Sequence, residues 1–114
     1  MSEMIGLPRR PKRSGHCYEL ALHHILGMQE GTLIHGEVYS YLLGRVIDHA
    51  WVETETGFIY EPESCRYFRK DQLYKEFKMK ELQRYSVREA ANMALGTETY
   101  GPWTEEQRKQ FIRR

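Results

Sequence analysis

The sequence predicts an α+β domain, in which an N-terminal helix packs on a small antiparallel β-sheet and further C-terminal helices cover the rest. Apolar residues recur at helical spacing over residues 17–28, and three runs with strand composition follow between residues 32 and 60. The chain has 114 residues, which suits a single domain. We assign residues 1–13, with their four basic side chains, to a flexible arm and residues 14–114 to the domain.

The first helix is expected to begin near Ser14, a candidate N-cap residue, and to continue to Met28. One face of this helix is apolar, and we expect it to be buried. Its members are Cys17, Leu20, Ala21, Ile25 and Met28.

Three strands are predicted at residues 32–39, 45–54 and 58–60, where β-branched and aromatic residues are frequent. A short connection that ends in Gly57 joins the second strand to the third. Such a connection between two strand-like runs favours an antiparallel hairpin. The sheet is expected to have about three to five strands in total.

The second half of the chain alternates between helical and extended patterns. We predict a short helix over residues 69–79, a strand over 81–85 and a helix over 86–95 that ends at Gly96. Residues 100–103 form an aromatic turn, and a basic helix follows it.

Composition and charge argue against several classes of protein. No apolar run approaches the ~20 residues of a membrane span, so no membrane association is expected. The formal net charge is +1, and residues 14–107 hold nine Lys or Arg against fifteen Asp or Glu, which argues against a nucleic-acid partner. The first seven residues lack a signal-like hydrophobic stretch, so we expect a cytoplasmic protein in which Cys17 and Cys65 are free thiols.

Cys17 is the first residue with chemical potential, because it lies in the first turn of the predicted helix. The unpaired backbone N–H groups of that turn favour an anion and would stabilise a nucleophilic thiolate. The alternative is that Cys17 is a small buried apolar residue, which is the usual place of a free cysteine.

His49 and Glu61 give Cys17 two candidate partners. His49 lies inside an otherwise apolar strand, and Glu61 follows on the next strand of the predicted hairpin. A hairpin can bring both to one side of the sheet, where the carboxylate would orient the imidazole and stabilise its cation. The order Cys17, His49, Glu61 thus matches a nucleophile, a general base and an orienting group.

This pattern resembles the transglutaminase-like branch of the papain-like cysteine superfamily. That family has a cysteine at the start of a helix, a motif reading His-Ala-Trp-Val-Glu, and an Asp-Pro at the end of the next strand. The present chain has Gly-His-Cys-Tyr-Glu-Leu-Ala at 15–21, His-Ala-Trp-Val-Glu at 49–53 and Ile-Tyr-Glu-Pro at 59–62. Glu61 stands where the family usually has Asp, and no Trp precedes Cys17.

The resemblance implies a small papain/transglutaminase-like core and a cysteine-dependent acyl transfer on an amide, with hydrolysis as the default outcome. Carried over residue by residue, Cys17 is the nucleophile, His49 the general base and acid, and Glu61 the orienting carboxylate. The implied substrate is a peptide or protein amide, and no cofactor or metal is implied. The competing hypothesis is a catalytically inactive scaffold of the same fold that binds a protein partner.

Other polar and aromatic residues are candidates for supporting roles. Trp51 is either a core residue or a wall beside the site, and Glu53 is an alternative orienting group for His49. We consider His16 and His35 candidate substrate-binding residues. The alternatives are a surface histidine for His16 and a structural histidine beside a glycine bulge for His35.

A metal site built from cysteine and histidine is not favoured by the spacing. The set would be His16, Cys17, His35 and His49, in which only the first two are neighbours, and adjacent side chains on a helix diverge.

Overall fold

The computed structural model describes residues 16–112 and confirms the α+β fold class. Four helices are present among these residues: α1 (Cys17–Met28), α2 (Lys70–Phe77), α3 (Val87–Thr97) and α4 (Glu105–Ile112). The strands are β1 (Thr32–Ser40), β2 (Arg45–Glu53), β3 (Phe58–Glu61), β4 (Arg66–Arg69) and β5 (Lys80–Ser86). Within residues 16–112, no helix is both long enough and apolar enough to cross a bilayer. The predicted arm, residues 1–13, lies outside the described part of the chain.

The five strands form one antiparallel sheet in the order β4-β3-β2-β1-β5, so that β2 lies at its centre. The hairpin of β1 and β2 pairs in continuous register from Thr32–Glu53 to Ser40–Arg45. Strand β5 pairs with the other edge of β1, and its register shifts between His35 and Gly36. The predicted strand over 81–85 is therefore confirmed, and it forms one edge of the sheet, next to β1.

The sheet is covered on both faces, which explains why four consecutive residues of its central strand, 49–52, are all buried. Side chains of a strand alternate between faces. Ala50 and Val52 therefore pack with α1 and α3, whereas Trp51 packs with α2. The first cluster contains Ala21, Leu22, Ile25, Leu33, Tyr85, Ala90, Met93 and Trp103. The second contains Ile34, Val38, Ile59 and Leu73.

The predicted hairpin between β2 and β3 is confirmed, but it is short. In the described structure β3 pairs with β2 at two positions, Val52 with Tyr60 and Glu53 with Ile59. The chain then turns at Pro62 and continues into β4. The stretch of β2 around His49 is therefore left beside the end of β3 and its following turn instead of being paired with β3.

Three sequence-based boundaries differ from the structure. The segment predicted as a helix over 69–79 begins as strand β4, because residues 66–69 pair with β3, and the helix that follows ends where Lys78 adopts a left-handed backbone (φ 50°). Helix α3 does not end at Gly96 but continues to Thr97, and Gly96 allows the close approach of the Phe111 ring from α4. His16 occupies the N-cap position of α1, and Ser14 lies outside the described residues.

Gly36 is expected to be essential for the packing of Trp51. A Cβ atom at Gly36 would lie 2.7 Å from Cη2 of Trp51 and would also collide with the carbonyl oxygen of Lys80. Because neither a ladder carbonyl nor a buried indole can move freely, Gly36→Ala should lower the free energy of unfolding in urea by about 1–3 kcal/mol.

Gly27→Ala is the matched control for this substitution. Gly27 lies in α1 with no heavy atom within 4 Å of its added Cβ, so alanine should raise the free energy of unfolding by about 0.5–1 kcal/mol. Equal effects of the two substitutions would contradict the role assigned to Gly36.

Candidate active site

Cys17 is the first residue of α1 and is buried, with 5% of its surface exposed. The first hydrogen bond of the helix runs from the Leu20 N–H to the His16 carbonyl oxygen, at 2.9 Å. The N–H groups of residues 17–19 therefore have no partner within the helix, as is general for a helix start. These groups direct partial positive charge towards the position of the Cys17 side chain.

His49 and Glu61 form the strongest polar contact at the end of β3. The His49 Nε2 atom lies 2.8 Å from Oε2 and 3.0 Å from Oε1 of Glu61. The Glu63 N–H donates to Oε1 of the same carboxylate at 3.1 Å. The turn after β3 therefore holds the carboxylate, and the carboxylate contacts the imidazole through both of its oxygens.

Cys17 also lies close to the imidazole of His49. The thiol sulfur, a ring nitrogen of His49 and a carboxylate oxygen of Glu63 all lie within 4.8 Å of one another. Because Nε2 is engaged by Glu61, Nδ1 is the nitrogen that remains for Cys17. This Nδ1 is buried and has no partner at hydrogen-bonding geometry among the described residues. The thiol and the imidazole are thus adjacent.

The surroundings of His49 favour its cationic form. Burial lowers the pKa of His49, but the interactions with Cys17 and Glu61 outweigh burial and raise the pKa from 6.5 to about 10. The imidazole therefore holds a proton at neutral pH, between a carboxylate and a thiol. Such a group can deliver its proton to a leaving group.

Trp51 forms the floor beneath this imidazole and is a core residue. Its ring stacks on His49 with centroids 5.9 Å apart, and it is 0% exposed. Its Nε1–H donates to the Tyr74 hydroxyl at 2.9 Å, and that hydroxyl donates to Glu81. Complete burial leaves Trp51 no surface for a ligand, which agrees with the alternative of a core residue.

Glu53 does not orient His49. Its Oε1 accepts hydrogen bonds from Nζ of Lys70 at 3.1 Å and from Nη2 of Arg84 at 3.0 Å. Four residues along a strand span about 13 Å, which is too far for a contact with His49. Of the two carboxylates that the sequence left open, the structure brings Glu61 to the imidazole.

The two other histidines singled out in the sequence have different surroundings. His16 is exposed, and its Nδ1 lies 3.6 Å from Glu19. His35 is 5% exposed and lies at the register shift of β1, where its ring packs against three aromatic rings, those of Tyr18, Tyr85 and Trp103. These contacts match the alternative reading of His35 as a structural residue beside a glycine bulge.

An apolar groove of about 390 Å³ opens beside His49 and Glu61 on the α2 face of the sheet. Cys17 does not line it. At its far end the Tyr41 hydroxyl donates to the Glu76 carbonyl oxygen at 2.7 Å, which links the β1–β2 turn to α2. The main apolar lining residues are Val38, Ile47, Phe68, Leu73, Phe77 and Met79.

Glu63 is the residue at this site that sequence reasoning missed. It follows Glu61 by two positions, the spacing that keeps two side chains on one side of an extended segment. This spacing could have indicated that Glu63 lies near Glu61. The turn that begins at Pro62, however, interrupts the extended backbone on which such an inference depends.

Comparison of the chain with models of known protein families, with curated proteins and with solved structures gives no significant match. The resemblance to transglutaminase-like proteins therefore depends on the three sequence motifs.

The raised pKa of His49 predicts a loss of stability at alkaline pH. A group that binds its proton more tightly in the folded state stabilises it fully below the unfolded pKa of 6.5 and ceases to do so as pH rises through about 10. The difference in free energy of unfolding between wild type and His49→Gln should therefore shrink from pH 6.5 to 10. A difference that stays constant over this range, measured by urea unfolding, would contradict the assignment.

His35 should have the opposite effect. Burial lowers its pKa from 6.5 to about 4, so the folded state favours neutral His35 and loses stability as pH falls from 6.5 towards 4. His35→Leu should lose less stability than wild type over this acid range in the same unfolding assay. An acid slope of His35→Leu equal to that of wild type would contradict this assignment.

Proposed function

We propose that this protein is a small cysteine-dependent enzyme that transfers the acyl group of an amide, with water as the default acceptor. The observation that supports this most directly is the adjacency of Cys17, at a helix N-terminus, to a buried His49 that Glu61 holds through both carboxylate oxygens. The resemblance of the three motifs to the transglutaminase-like family supports the same reading.

The acylation step uses the proton that the site holds between Cys17 and His49. The Cys17 thiolate attacks the amide carbonyl carbon, and an S–C bond forms as the carbonyl oxygen becomes an oxyanion. The Cys17 N–H, unpaired within the helix, is one donor for that oxyanion. The His49 imidazolium then gives its Nδ1 proton to the leaving nitrogen, the C–N bond breaks, and a thioester remains.

Deacylation reverses the proton movement. His49, now neutral, takes a proton from a water molecule as the water oxygen attacks the thioester carbonyl. The C–S bond breaks, the carboxylic acid leaves, and the proton returns to the pair of Cys17 and His49. Glu61 keeps the imidazole in one orientation through both steps and stabilises its cation.

The groove beside the triad supports an amide flanked by a large apolar group. His49 and Glu61 lie at its wall, and most of the other lining side chains are aliphatic or aromatic. An apolar pocket of this kind gains affinity from surface removed from water. A peptide or protein amide with an apolar neighbouring side chain is therefore the substrate class that we propose.

The second candidate function is a protein-binding module that does not use the thiol. It is favoured by the burial of Cys17, which does not line the groove, and by the exposed apolar turn next to that groove. In this turn Leu42 is 93% exposed, and Tyr41 and Leu43 are more than half exposed. Binding of a partner on this face would need no thiolate.

The deciding measurement is the alkylation rate of each thiol against pH, followed by mass spectrometry. If Cys17 is a nucleophile, it should react well below pH ~8.5, where an ordinary thiol is protonated. His49→Ala should move the pH profile of Cys17 upward, and Glu61→Gln should move it in the same direction by a smaller amount. The exposed Cys65 provides an internal control that neither substitution should affect.

Glu53→Gln is the matched control for Glu61→Gln. It makes the same chemical change at a carboxylate that pairs with Lys70 and Arg84. It should leave the Cys17 profile unchanged. An inert Cys17, or one that follows the profile of Cys65 whether or not His49 is present, would overturn the catalytic proposal and favour the binding module.

A further inference from the structure

We infer that Cys17, His49 and Glu63 form a binding site for a thiophilic divalent cation, of which Zn²⁺ is the best match. The sulfur, a ring nitrogen and a carboxylate oxygen of these residues lie within 4.8 Å of one another. Cysteine, histidine and a carboxylate are the three side-chain types that Zn²⁺ uses in proteins.

The unpartnered Nδ1 of His49 is the independent observation that points to a ligand here. Only 5% of the surface of His49 is exposed, and its Nδ1 has no hydrogen-bond partner among the described residues. Burying a polar atom without a partner is costly. A metal ion between this nitrogen and the Cys17 sulfur would satisfy it.

The surroundings of His49 also suit a metal ligand. A metal-bound histidine commonly donates its other ring N–H to a carboxylate, which fixes the ring and its tautomer. Glu61 occupies this position on Nε2, at 2.8 Å. Glu61 would therefore support the metal from outside, while Glu63, two residues further along the same turn, supplies an oxygen ligand.

Zinc coordination has a defined proton balance. The metal requires a thiolate sulfur and a neutral imidazole. One proton of the Cys17–His49 pair therefore leaves to solvent when the ion binds, and His49 keeps the Nε2–H that it donates to Glu61. Three protein ligands leave one position of a tetrahedral ion for water.

Metal binding depends only on the three donors, whereas its consequence for activity rests on the proposed function. A zinc ion on the Cys17 sulfur occupies the nucleophile and removes the proton that His49 would deliver. The site would thus be reversibly blocked by zinc and released by a chelator.

The test is a titration of the chelator-treated full chain with Zn²⁺ while thiol alkylation is followed by mass spectrometry. Zinc should protect Cys17 from alkylation, and Cys65 should stay reactive. Glu63→Gln should weaken the affinity for Zn²⁺, and with it this protection. The loss should be at least the ~10–100-fold that removing a hydrogen-bond partner of a metal ligand costs. Glu55→Gln, at an exposed glutamate in the β2–β3 turn, should leave it unchanged.

Cobalt gives a readout that does not depend on thiol reactivity. Co²⁺ bound to the site should show a sulfur-to-metal charge-transfer absorption that Cys17→Ser abolishes and Cys65→Ser retains. If Cys17 is inert to alkylation but the absorption appears, the catalytic proposal fails and the metal site stands. Absence of the absorption in wild type, or its retention in Cys17→Ser, would overturn the metal site.

Discussion

The hydrogen bonds between His49 and Glu61 are the constraint on which the site depends. An imidazolium withdrawn from water is unfavourable unless a carboxylate compensates its charge, and Glu61 does so with both oxygens. Glu61 can reach the ring because β3 leaves β2 after two paired positions. A longer β3 would continue the ladder along β2, and the carboxylate would then lie in a regular strand instead of beside the imidazole.

The two-sided sheet explains how one strand serves both the core and the site. Residues of β2 alternate between the α1 face and the α2 face, so Ala50 and Val52 anchor the first helix while Trp51 anchors the second. His49 shares the face of Trp51 and rests on its ring. The position of the imidazole is therefore set by the packing of α2, and that of Cys17 by the packing of α1. Any change in the spacing of the two helical layers would alter the distance between the Cys17 thiol and the His49 imidazole.

Much of this arrangement follows from local sequence. Helical spacing predicted α1, alternation and a Gly-containing turn predicted β2 and β3, and the resulting hairpin predicted the contact of His49 with Glu61. Strand β4 was missed because it is four residues long and begins and ends with Arg, which leaves no periodic signal. The complete burial of Trp51 could not be read from its neighbours, since it depends on α2, which lies some twenty residues further along the chain. The sequence alone did not decide whether Glu53 or Glu61 contacts His49. In the structure Glu53 is excluded by its distance from His49 along β2 and by its ion pairs with Lys70 and Arg84.

The order of the strands has a consequence for how the molecule meets other copies of itself. The sheet ends in β4 on one side and β5 on the other, and unpaired strand edges can act as templates for aggregation. Both edges carry exposed cationic side chains, which are Arg66 and Arg69 on β4 and Lys80 on β5. Two such sheets that joined edge to edge would bring like charges together and strip them of water. The outer strands thus protect the fold against the continuous sheet that its backbone would otherwise permit.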